Sequence, residues 1–141
     1  MTYVLLALAV AAPAPKPSPK VDNPLVGTWE LESATFFGTP VPDLKMTMKF
    51  TADGGYESST SQAGRTRSEA GTYARDPKPD PHHLNLAEPG AEGRTTLSIY
   101  KVGGDTLTIC SGDKTTRPTA FEAPGGAVQV LMVFKRVKPK D

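Results

Sequence analysis

His82 and His83, with Asp76 and Asp80 just upstream, are the residues in this chain best suited by type to hold a metal ion. Their spacing argues against it. Neighbouring side chains on a strand point to opposite faces, so two adjacent imidazoles cannot both reach one ion unless the backbone leaves the extended form. Cys110 is the single cysteine and sits in the alternating run Thr106-Leu107-Thr108-Ile109-Cys110 without a nearby histidine. That context suits a buried thiol rather than a nucleophile. Ser58 to Ser61 is rich in hydroxyls but lacks a nucleophile elbow and a base partner. Glu30, Glu32, Glu57 and Glu69 lie among polar neighbours at positions expected to look outward, where nothing would perturb them for acid–base work. The glycine pairs at 54–55, 103–104 and 125–126 punctuate turns and none opens a helix, so no phosphate loop is implied. No catalytic residue, metal site or cofactor is assigned.

The elements that would position any site are short strands. Trp29 and Leu31 alternate with Thr28, Glu30 and Glu32, and Met46, Met48 and Phe50 alternate with Lys45, Thr47 and Lys49. Asp53-Gly54-Gly55 signals a hairpin, and Tyr56, Ser58 and Thr60 begin the return strand. Residues 61–70 are polar and weakly patterned, which predicts a loop or hairpin tip. Gly71 to Ala74, His83 to Ala87, Thr95 to Val102 and Thr106 to Cys110 follow as further strands. Between the first two of these, Asp76 to Pro81 is a turn whose prolines 77, 79 and 81 forbid central-strand pairing. The last segment, Ala127 to Val137, is apolar on both faces and must be covered on both. About eight strands without a convincing helix predict an all-β fold: an antiparallel up-and-down barrel, with a β-sandwich as the alternative.

Eight apolar side chains are expected inside: Met46, Met48, Phe50, Tyr56, Ile99, Leu107, Ile109 and Phe134. An eight-stranded barrel is just wide enough for such residues either to fill it or to line a cavity for one small ligand.

Composition narrows the partners. The chain has 141 residues with 16 basic and 15 acidic side chains, and residues 24–141 hold 14 of each. A balanced charge without a basic-aromatic stripe gives no footprint for nucleic acid. Val4 to Ala12 is an unbroken apolar run of nine, too short for a transmembrane span but suited to the apolar part of an export signal. Residues 1–12 are read as that signal segment, 13–24 as a proline-rich linker and 25–137 as the folded domain. The expected location is therefore outside the cytoplasm: periplasm, envelope or secreted.

Leu25-Val26-Gly27-Thr28-Trp29, Gly71-Thr72-Tyr73, Gly103-Gly104-Asp105-Thr106-Leu107, Arg117-Pro118-Thr119-Ala120-Phe121 and Val130 to Arg136 together resemble a lipocalin-like domain family of planctomycete bacteria, of uncharacterised function. The wider resemblance is to lipocalins. It implies that Gly27 and Trp29 begin the first strand with the indole plugging the closed end, and that Arg136 stacks on that ring from the last strand. The reading that follows is an exported, monomeric, non-catalytic barrel binding a small apolar or amphipathic molecule. A structural or interaction module of the cell envelope, with a filled barrel, is the alternative.

Overall fold

The computed structural model describes residues 23–90, 94–126 and 128–138. Nine strands follow in chain order: β1 (Gly27–Phe36), β2 (Thr39–Pro40), β3 (Lys45–Phe50), β4 (Gly55–Gln62), β5 (Arg65–Asp76), β6 (His82–Ala87), β7 (Thr95–Gly103), β8 (Thr106–Ser111) and β9 (Val130–Arg136). Each pairs antiparallel with its neighbour, and β1 pairs with β9 to close the sheet. β2 is a two-residue strand on the rim, so the closed wall has eight strands. The signal segment and residues 13–22 of the linker lie outside the described residues. Among the described residues there is no helix long and apolar enough to cross a membrane.

The register defines the inside. Trp29 stands opposite Met48 and Arg136, Met48 opposite Ser58, Tyr100 opposite Ile109, and Leu107 opposite Phe134. β1 needs one irregularity to keep its apolar side inward. Its apolar phase is odd at Trp29 and Leu31 but even at Ala34 and Phe36, and a bulge between Leu31 and Ser33 absorbs the change. Of the two expectations for 61–70 the hairpin tip holds, and the loop does not. β4 and β5 pair from Gly55↔Thr72 to Gln62↔Arg65, leaving only Ala63 and Gly64, both at positive φ, as the turn. Its polar composition reflects exposure of the ribbon, not lack of structure, and a two-residue turn with both φ positive suits the twist of paired strands.

The lower end of the barrel, where β1 begins, is sealed. Leu25 is fully buried, and its carbonyl accepts a hydrogen bond from Trp29 Nε1 at 2.9 Å. The Arg136 guanidinium lies 4.2 Å from the centre of the Trp29 ring and donates to the carbonyls of Val26 (3.1 Å) and Pro24 (3.0 Å). Asp105 pairs with Arg136 at 3.7 Å and with Lys138 at 3.3 Å. Gly27 is required here: its φ is 132°, and a Cβ would stand 3.0 Å from Arg136 Nη1. On the other side Asn23 donates to the Tyr73 hydroxyl (2.8 Å), which donates to the Thr51 carbonyl (2.7 Å). Asn23 and Pro24, assigned to the linker from sequence, are thus part of the folded unit.

A second packed layer lies outside the barrel. The connection from β8 to β9 crosses the outer face of β7 and β8. Arg117 donates to the Ser98 carbonyl at 2.7 Å, Cys110 Sγ to the Glu122 carbonyl at 3.2 Å, and Gln129 to that same carbonyl at 2.6 Å. Lys101 sits 4.7 Å above the Phe121 ring. This strap covers the outward apolar side chains of the strands beneath, which is why β9 can be apolar on both faces.

Candidate functional site

Seven of the eight expected interior residues face the interior, and Ile99 does not. Its register partners are His83 and Cys110, on the face opposite Tyr100 and Ile109. Ile99 is buried, but apart from the barrel core. The correction has a simple cause. In β7 the apolar residues Leu97 and Ile99 pack under the strap, while Ser98, Tyr100 and Val102 turn inward. Apolar therefore does not mean inward in a strand covered on both sides.

The remaining seven divide by depth. Met48, Phe50, Leu107, Ile109 and Phe134 are at most 2% exposed and pack with Trp29, Leu84 and Tyr100 in one cluster. Phe50 meets Tyr73 edge to face, with ring centres 5.0 Å apart. These residues fill the lower barrel. Tyr56, the register partner of Phe50, is 6% exposed, while Met46, four residues back along β3, is only half-buried. Met46 is one of the partly buried apolar residues packed against the core, with Leu31, Tyr73 and Val102 lower down and Phe36, Leu44, Leu86 and Val130 elsewhere. By register Phe36, Met46, Leu86 and Val130 lie toward the upper ends of their strands.

The upper interior also has a polar wall. Ser58 and Thr60 on β4 face inward, and Ser98 donates to Ser111 at 2.9 Å across β7 and β8. Glu69, expected to look outward, stands opposite buried Ser58 and so faces inward; its carboxylate pairs with Arg67 at 2.9 Å. The misreading came from its polar neighbours, which are common to both faces of the β4–β5 ribbon. Burial pushes the Tyr56 phenol above its usual range, and the charges of Glu69 and then Glu88 add to that. Gly71 makes room for the ring. A Cβ there would stand 2.9 Å from Tyr56 Cε1 and collide with the Ala87 carbonyl oxygen. Glu30, Glu32 and Glu57 are exposed, as expected.

A groove of about 440 Å³ lies mainly on the outer face, lined by Thr28, Thr47, Lys49, Glu57, Ser59 and Ser68 among others. It is open to solvent, Ser58 and Glu69 also line it, and the apolar interior set does not.

The histidines separate as strand geometry requires. His82 faces inward opposite Tyr100, and His83 faces outward opposite Ile99. Among the described residues no group of three or more His, Cys, Asp or Glu side chains is placed to hold a metal ion. Cys110 is buried under the strap, and burial pushes its thiol up, away from the thiolate a nucleophile needs. Leu25, Tyr73, Arg75, Tyr100 and the strap were missed as structural or lining features. Only the alternation of Tyr73 with Arg75, and of Tyr100 with Val102, could have signalled the inward pair on each strand. Comparison with protein-family models, curated proteins and solved structures finds no match to this chain.

Proposed function

We propose that this chain is an exported, monomeric, non-catalytic binding module of lipocalin-like type, which takes one small amphipathic molecule into the upper end of its barrel. The supporting observation is that the side chains at most 2% exposed gather around Trp29, while Phe36, Met46, Leu86 and Val130, toward the upper ends of their strands, are partly buried; Tyr73 and Val102 at the lower end are partly buried as well. The upper four face the hydroxyls of Ser58 and Thr60 and the carboxylate of Glu69, an arrangement suited to a ligand with one apolar and one polar side. Sheet closure by β1 and β9 removes most free strand edges and favours a monomer. The resemblance to the planctomycete lipocalin-like family and the apolar run of residues 4–12 support export. The full chain, purified gently from its own host, should show by native mass spectrometry an adduct of small-molecule mass that is lost on denaturation. Met46→Lys should abolish the adduct without unfolding the barrel. A clean apo mass would sink the proposal and favour the filled-barrel interaction module, the reading that the packed lower core supports.

A further inference from the structure

Closure of the barrel leaves part of β5 without a second neighbour. β4 pairs with β5 from Gly55↔Thr72 to Gln62↔Arg65, but β6 joins β5 only from Thr72 to Asp76. Among the described residues nothing pairs with Arg65 to Gly71 on that side. Arg65 to Ser68 and Ala70 are exposed. The turn fixes which main-chain groups look out. In a hairpin closed by two residues the flanking pair, here Gln62 and Arg65, exchanges hydrogen bonds, and the bonding side alternates from there. Arg65, Arg67 and Glu69 therefore bond toward β4, in phase with the Tyr73 N–H, which donates to the Gly54 carbonyl at 2.9 Å. Thr66, Ser68 and Ala70 turn their N–H and C=O groups outward. Such a row is a template for another strand unless proline, lysine or a bulge blocks it, and residues 65–71 contain none of these.

We propose that this edge pairs antiparallel with the same edge of a second copy of the chain, centred on Ser68, to give a weak, reversible dimer. Charge selects both the occupant and the register. Arg65, Arg67 and Glu69 share one face of the strand, and within the chain Arg67 Nη2 lies 2.9 Å from Glu69 Oε2. Pairing about Ser68 joins Ser68 to Ser68 and Thr66 to Ala70 as hydrogen-bonded pairs. It also sets Arg67 opposite Glu69 of the second copy on both sides of the two-fold axis, so the four charges alternate in sign. A centre at Arg67 or Glu69 would face like charges across the axis, and a centre at Thr66 would set Arg65 against Arg67. A centre at Ala70 would leave Glu69 opposite Gly71. A centre between two residues would put outward main-chain groups against inward ones. Residues 66 to 70 make a short interface beside the about 1,200 Å² at which stable complexes begin, so the dilute chain stays the monomer proposed above. The association goes beyond that proposal and does not rest on it: two closed barrels meet edge to edge and neither opens.

The test is sedimentation velocity of the full chain over a concentration series, with backbone amide exchange measured at both ends of the series. The unmodified chain should pass reversibly from monomer to dimer as concentration rises. The amides of Thr66, Ser68 and Ala70 should be unprotected when dilute and protected when concentrated. Ser68→Pro should keep the monomer folded, since the lost N–H faces away from β4. It should raise the dimer dissociation constant about tenfold or more, because each copy gives up a hydrogen bond. Arg67→Glu and Glu69→Arg should each fail to self-associate, since each sets like charges opposite one another. Mixed together, these two variants should pair, because every facing pair is then opposite in sign. A monomer at every concentration would overturn the assignment. So would protection of those three amides in the dilute chain, which would mean that another segment of the same chain covers the edge. Single charge variants that pair with themselves as the unmodified chain does, or that fail to pair when mixed, would overturn it as well. The adduct experiment is made on the dilute chain, so either result stands without the other.

Discussion

The two ends of this barrel are built from the same strands, yet one is locked and the other loosely filled. At the lower end every polar group within reach is recruited. The indole N–H, the Arg136 fork, the Asn23 amide and the Tyr73 hydroxyl all satisfy main-chain or side-chain partners over a fully buried Leu25. At the upper end small hydroxylic residues and half-exposed apolar ones line the strands. The difference teaches that rigidity in a small barrel comes from tying the entering chain across one end, which leaves the other end for recognition.

The sharpest way to break the comparison is at Trp29. Trp29→Ala should cost about 3–5 kcal/mol in denaturant unfolding, because it removes a large core ring and the platform for Arg136. A loss under about 1 kcal/mol would mean that the lower end is not a lock. Two methionines on one strand give the cleanest internal control. Met48→Ala should cost about 2–5 kcal/mol as a cavity in a packed core. Met46→Ala, two residues nearer the mouth, should cost only about 1 kcal/mol, since it gives up partial burial. Equal costs would erase the difference in burial on which the ligand proposal stands.

Arg136→Lys should lose about 1–2 kcal/mol, because an ammonium cannot cap two carbonyls while lying flat on an indole. The same variant should leave any adduct at the upper end unchanged. The smallest effect concerns pH. Tyr56 titrates higher folded than unfolded, so its contribution is fully present below the ordinary phenol value of 10.0 and is lost as pH rises through the higher folded value. Alkaline unfolding of Tyr56→Phe should therefore begin at higher pH than that of the unmodified chain, if the variant packs equally well.

Much of this fold was legible because period-two alternation survives wherever one face meets solvent. Trp29, Met48 and Phe50 were placed correctly for that reason. Legibility ended where a second layer covers the outside. Ile99 and Cys110 share a buried outer face that alternation alone cannot distinguish from the inside. The β4–β5 ribbon failed in the opposite sense at Glu69, which faces inward opposite Ser58 although no apolar period marks it.

The contact of Arg136 with Pro24 joins residues 112 apart in sequence, and its bond to Val26 spans 110. The pairing of β1 with β9 closes a loop of similar length. A chain emerging from its N-terminus can form the hairpins of β3 to β8 in turn, since each is local. It cannot seal the end or complete the wall until β9 has been made. A nascent chain halted before Val130 would hold Trp29 without its guanidinium cover and β1 without one of its neighbours, so β9 must emerge before the barrel becomes a barrel.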